Sequence, residues 1–135
     1  PDATVLQVAT WARTNTAKYD VFLVTVDDRP AWDVFRGLSQ RSIYTSWEEG
    51  TAIHWDRGFV TEWTRRLADL GFDRRHFADR DPEKELDRIY AGLMDDRVRL
   101  LGRSHSLRYW IVPNSHPSGL KTAFARSGYK VLDLR

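Results

Sequence analysis

The sequence predicts a layered single domain of the α/β (or α+β) class, with a small central sheet flanked by helices, and three observations carry that expectation. Short β-branched runs alternate with segments of helical period along the chain. Prolines, glycines and small polar residues stand between them as turn and cap signals. The 135 residues, 41% of them hydrophobic and 13% aromatic, are enough for one core and few for two. We therefore read residues 1–135 as one domain.

Val5, Val8, Ala9 and Ala12 fall at i, i+3, i+4 and i+7, the inward stripe of a first helix. Tyr19 to Val26 is a β-branched run with little alternation, the pattern of a strand covered on both faces, and is expected to be the central strand. Asp27-Asp28-Arg29-Pro30 ends it; Pro30 suits the first turn of a helix, and Ala31, Val34, Phe35 and Leu38 continue at helical spacing. Ser42 to Trp47 reads as a second strand, yet Ser46 and Glu49 stand in capping-box register, so a helix can begin near Trp47. Asp56 to Leu70 is a firmer helix, with the stripe Phe59, Trp63 and Leu67, Glu62 within reach of Arg66, and Gly71 placed to close it. Asp81-Pro82-Glu83 opens the next, whose buried face is Leu86, Ile89, Tyr90 and Leu93. Val98–Leu101 and Leu107–Val112 read as strands, Leu120, Ala123 and Phe124 as a helix stopped by Gly128, and Tyr129–Leu134 as a last strand.

Composition narrows the function classes. The chain has no cysteine, which excludes disulfides, thiolate zinc sites and a cysteine nucleophile. No apolar run approaches the roughly 18 to 20 residues that span a bilayer, and the first residues show no basic region followed by an apolar core. A cytoplasmic protein without a membrane partner is the expectation. The four histidines, at 54, 76, 105 and 116, lack the i, i+4 spacing of metal ligands, so neither metal nor cofactor is expected. A net charge of +2 says little alone, but it is uneven: Arg108, Lys121, Arg126, Lys130 and Arg135 face Asp133 alone after residue 103, while residues 1–50 are net acidic. The dense mixed charge of residues 73–103 reads as a solvated helical face.

The basic end coincides with the best candidate site. Ligands of open α/β sheets settle beyond the carboxyl ends of strands, and there Leu107–Val112 delivers a loop with Asn114, Ser115, His116 and Ser118. Pro113 and Pro117 restrict that loop, and Gly119 permits close approach. A helix starting near Ser118 would turn its free N–H groups towards an anionic oxygen such as a DNA phosphate; alternatively, Asn114 or Ser115 simply caps that helix.

Tyr109-Trp110-Ile111-Val112-Pro113-Asn114 followed by Pro117-Ser118-Gly119-Leu120 resembles the second motif of the uracil/thymine-DNA glycosylase superfamily, its mismatch-specific branch above all. His116-Pro117-Ser118 resembles the His-Pro-Ser form of other branches. The resemblance implies a DNA-acting domain in which His116 or Asn114 meets a flipped base and Ser118 a phosphate. A donor near the base carbonyl would stabilise the leaving anion. The likeness is confined to residues 109–120, and Ser115-His116 is inserted between the Asn and the Pro-Ser-Gly. The family's glycine-bounded first motif has no counterpart after the first strand, where Asp27 or Asp28 would have to hold the water; two adjacent acids before a helix also serve as a cap.

On this reading Asp27, Asp28 and His116 are the catalytic candidates, and Asn114, Ser115, Ser118, Gly119, Arg108 and Lys121 the nucleic-acid contacts. A second reading is a non-catalytic nucleic-acid or modified-base binding module in which Trp47 and Trp55, the tryptophans least tied to an apolar stripe, form a cage with Arg36, Arg41 or Arg57 on phosphate. Core packing is the default for most of the six tryptophans. A third arises from Phe35-Arg36-Gly37-Leu38-Ser39 and Tyr44-Thr45-Ser46, which resemble the arginine and Ser-Thr-Ser elements of ADP-ribosyltransferases and imply a toxin-like transferase; Glu48 or Glu49 would have to supply its acid. A protein-interaction domain without a small-molecule site is the plain alternative.

Overall fold

The computed structural model describes residues 3–24, 32–45 and 57–135. α1 (Ala3–Asn15) opens the chain, with the stripe Val5, Val8, Ala9 and Ala12 fully buried as its spacing requires. β1 (Val21–Leu23) follows, then a 3-10 turn at Trp32–Val34 that runs into α2 (Phe35–Ser39), and β2 (Ser42–Ile43). α3 (Arg57–Leu70), α4 (Pro82–Ala91) and α5 (Asp95–His105) precede β3 (Leu107–Pro113), β4 (Lys121–Arg126) and β5 (Tyr129–Asp133).

The helix signals work locally as read. Glu62 accepts from Arg66 Nε at 2.8 Å, Gly71 closes α3 at φ +108°, and Asp81 accepts from the Lys84 backbone N–H at 3.1 Å with Pro82 in the first turn. The Ser46–Glu49 capping box and the start at Pro30 and Ala31 lie outside the described residues.

The sheet is mixed, in the order β2-β1-β3-β5-β4. β1 runs parallel to β2 and β3, and β5 antiparallel to both β3 and β4. The central strand is therefore β3, not the Tyr19–Val26 run, because β3 is the long apolar strand that feeds both layers. Tyr109 and Ile111 pack with α1, Trp32 and Phe35, whereas Trp110 and Val112 pack with Trp63, Leu67, Leu86 and Leu101. The result is α1 and α2 on one face and α3, α4 and α5 on the other.

Two expected elements are of the other kind. Val98–Leu101 belongs to helix α5: Val98 and Leu101, three apart, are buried while Leu100 is half exposed. Four residues are too short a window to separate period 2 from period 3.6, and Asp95 and Asp96 in the first turn were the deciding signal. Conversely, Leu120, Ala123 and Phe124 are not a helix. Lys121–Arg126 is the edge strand β4, and a register shift between Thr122 and Phe124 leaves Ala123 and Phe124 both packed against the α1 core. Such a bulge breaks strict alternation and imitates helical spacing. Gly128 does not stop a helix; Ser127 (φ 48°) and Gly128 (φ +87°) form the two-residue turn between β4 and β5, a mirror-image type I geometry matched to strand twist.

α5 lies tightly on the start of β3. A Cβ at Gly102 would sit 2.9 Å from the Leu107 carbonyl oxygen, which is backbone and cannot swing away. We expect Gly102→Ala to destabilise by about 1 to 2 kcal/mol, overpacking outweighing the gain in helix propensity. A chemical denaturation midpoint at or above that of the unmodified protein would refute the close contact.

Candidate nucleic-acid interface

The two ends of β3 differ in what they leave open. At its carboxyl end the chain turns through Asn114, whose N–H donates to the Gly128 carbonyl at 2.8 Å, and His116, whose N–H donates to Pro113 O at 2.9 Å. Because β3 and β4 both run antiparallel to β5, they run the same way, and residues 114–120 must travel back to start β4 beside Asp133. The loop is thus a crossing segment rather than the approach to a helix N-terminus, and no helix dipole stands behind Ser118.

Its polar groups are held by the fold. His116 is buried; Nε2 donates to the Leu93 carbonyl at 2.8 Å, the ring meets Trp110 edge-to-face at 4.9 Å, and its own carbonyl accepts from Lys130 Nζ at 2.8 Å. Asp95, in the first turn of α5, accepts from Ser118 Oγ at 2.7 Å and from the Gly119 N–H at 2.8 Å. Where a DNA phosphate was expected at Ser118 and Gly119, the fold's own Asp95 carboxylate sits. Asn114 and Ser115 remain exposed, and Ser115 borders a cavity of about 220 Å³ shared with Tyr90, Trp110 and His116.

At the amino end of β3 the geometry is different. A cavity of about 610 Å³ opens between α5, the turn before β1 and the end of β5, with Arg99, Arg103, Arg108 and Arg135 among its walls. Arg108 forms one side: Nη2 donates to Asp133 Oδ2 at 3.1 Å, the guanidinium lies 5.1 Å from the Tyr109 ring centroid, and Nη1 is buried with no hydrogen-bond partner among the described residues. Arg99 and Arg103 are exposed one helical turn apart on α5, and among the described residues neither guanidinium has a carboxylate partner. Like charges at i, i+4 repel one another, and an anion in the cavity relieves that repulsion. Asp20 also lines it, but one of its carboxylate oxygens is held by the Ala17 N–H at 2.8 Å. Lys121, paired in register with Asp133, is at the same end of the sheet.

Sequence reasoning placed Arg108 and Lys121 with the 113–120 loop; Arg108 lies at the amino end of β3, away from Asn114 and Ser115 at its carboxyl end. It missed Arg99, Arg103 and Asp95 altogether. The i, i+4 arginine pair was visible, but only to a reading of 98–101 as helix. Asp27, Asp28, Trp47 and Trp55 lie outside the described residues. Of the other tryptophans, Trp32, Trp63 and Trp110 are buried, and Trp11 stacks on Phe124 at 5.2 Å. Arg41, offered as a phosphate contact, is buried against the end of α1.

Two further clusters of polar side chains lie elsewhere on the fold. Arg36 and Tyr44 share a cavity of about 410 Å³ with Arg66 and His105. Burial, and then the Asp69 carboxylate 3.4 Å away, push the Tyr44 hydroxyl up to about 12, so it stays protonated. Thr45 is buried and Ser46 lies outside the described residues. His76, Asp79 and Glu85 bring ligand atoms within 4.8 Å of one another, a grouping that histidine spacing along the chain does not reveal. His76 Nδ1 accepts from the Asp73 N–H at 3.0 Å, which puts the proton of the neutral ring on Nε2, towards Glu85; a metal there would have to displace it.

Among known proteins, no curated protein and no solved structure matches this chain. A family model described as a domain of unknown function, DUF6798, matches residues 3–70, from the first residue of α1 to the last of α3. With half of its length inside that match, the chain belongs to the DUF6798 family.

Proposed function

We propose that this domain is a non-catalytic nucleic-acid binding module that takes a backbone phosphate into the arginine cavity at the amino end of β3. The observation that carries the reading is the exposed pair Arg99 and Arg103, without a carboxylate partner among the described residues, on one cavity with Arg108 and Arg135. Planar guanidinium forks suit phosphate oxygens, and several around one cavity can share a single phosphate. Binding is favoured over glycosylase hydrolysis because His116, the group the resemblance aims at the base, already donates to Leu93, and Ser118 and Gly119 already hold Asp95.

Fluorescence anisotropy with labelled DNA across salt tests it. We expect affinity to fall steeply from 50 to 200 mM salt, and Arg99→Ala/Arg103→Ala to weaken binding about tenfold or more while lowering the salt slope by roughly 1 to 2. No binding at 50 mM salt, or affinity unchanged in the folded double variant, would overturn the assignment. Alkali cleavage after incubation with uracil-containing DNA should give no strand breaks; breaks would restore the glycosylase reading.

A further inference from the structure

The arginine cavity carries an aromatic side chain on its rim. Tyr19 lines it together with Arg99, Arg103 and Arg108, and at 80% relative exposure it far exceeds the other exposed large hydrophobic residues among those described, of which Met94 at 53% comes next. It does not sit on a loose loop. The Ala17 N–H donates to Asp20 Oδ2 at 2.8 Å and the Asp20 N–H donates back to Ala17 O at 3.0 Å, so a closed, reciprocally bonded turn with Asp20 buried beneath it presents the ring. Asp20 leads directly into β1, which ties the turn to the sheet.

An apolar ring left in water gains from any flat partner, and guanidiniums beside it select a partner that carries negative charge. A nucleotide has both parts, a base with two flat faces and a phosphate joined to it. In a duplex those faces are covered by neighbouring base pairs, whereas in a single strand they are open to an aromatic platform. Resting on the phosphate-cavity reading, we infer that the ligand is single-stranded nucleic acid, with one base stacked on Tyr19 and an adjoining phosphate among Arg99, Arg103 and Arg108. Stacking on a ring is indifferent to base identity, so recognition here is of strandedness rather than sequence.

The test compares four probes on the intact chain: a ten-residue oligothymidylate, the same length carrying abasic sites, a ten-base-pair duplex, and thymidine monophosphate. We expect the single strand to bind at least about fivefold more tightly than the abasic strand or the duplex, and the mononucleotide to bind far more weakly than the strand. Tyr19→Ala should abolish the advantage over the abasic strand, and Tyr19→Phe should keep it, since the face of the ring does the stacking; loss per base of about 5- to 150-fold is the range for such contacts. A duplex or abasic strand that binds as tightly as the oligothymidylate overturns the inference, as does an unchanged preference in the folded Tyr19→Ala variant or a mononucleotide that matches the strand. In each of those cases a persistent Arg99/Arg103 effect leaves the phosphate cavity standing, so the two readings fail separately.

Discussion

Arg41→Ala is expected to lower the unfolding free energy by about 3 kcal/mol, a large share of the roughly 5 to 15 kcal/mol available to a domain of this kind. Arg41 is buried, and it works as a clamp on the end of α1: Nε donates to Thr16 Oγ1 at 2.9 Å, and Nη2 donates to the carbonyls of Arg13 at 2.9 Å and Thr16 at 2.8 Å. Nη1 donates to Gln40 O at 3.1 Å. The Arg13 and Thr16 carbonyls lie at the carboxyl end of α1, where the helix presents partial negative charge and unpaired acceptors, so a cation there is favourable twice over. Alanine removes four donors and leaves buried acceptors without partners. Arg41→Lys should recover less than half of the loss, because one ammonium cannot reach oxygens that three guanidinium nitrogens now serve. Urea denaturation followed by circular dichroism measures both, and an Arg41→Ala midpoint within error of the unmodified protein would show that α1 needs no such clamp.

Trp110→Ala should be at least as damaging, about 3 to 5 kcal/mol, as is usual when a large aromatic is removed from a packed core. Trp110 is 3% exposed on β3, within the cluster that includes Trp63, Leu67, Leu86 and Leu120. Its ring is also the wall against which His116 stands edge-to-face. His116→Ala should therefore lower stability by a smaller amount, about 1 to 2 kcal/mol, through the lost Leu93 hydrogen bond and ring contact. The two losses should not add in the double variant, since both delete the same contact. The functional counterpart is as important: His116→Ala should leave the affinity for single-stranded DNA unchanged. A stable His116→Ala protein with altered base discrimination would return the site to the 113–120 loop.

The arginine cavity lies at the amino end of β3, whereas Asn114 and Ser115 stand at its carboxyl end. The basic bias after residue 103 is real, and Arg108, Lys121 and Arg135 all belong to the amino end of the central strand. Asn, Ser and His are common in binding sites, and the 113–120 loop is rich in them. In the fold they serve the crossing: Asp95 fastens Ser118 and Gly119, Leu93 fastens His116, and the Gly128 carbonyl fastens the Asn114 N–H.

Local order was legible wherever a single element's own residues decide it. The buried stripe of α1, the caps of α3 and α4, the apolar run of β3 and the mixed layering of the domain follow from periodicity and cap chemistry within a few turns of chain. What the sequence could not supply is whatever depends on a partner distant along the chain. The bulge that makes β4 a strand exists only because β5 pairs with it, and β3 becomes the centre only because β1 and β5 flank it. Arg41 is a clamp because α1 ends beside it, and Arg99, Arg103, Arg108 and Tyr19 form one cavity because α5 closes on the start of β3 at Gly102. Periodicity along the chain fixes which face of an element is apolar; only the tertiary packing decides which charged groups come to face one another across a cavity, and the proposed site rests on that.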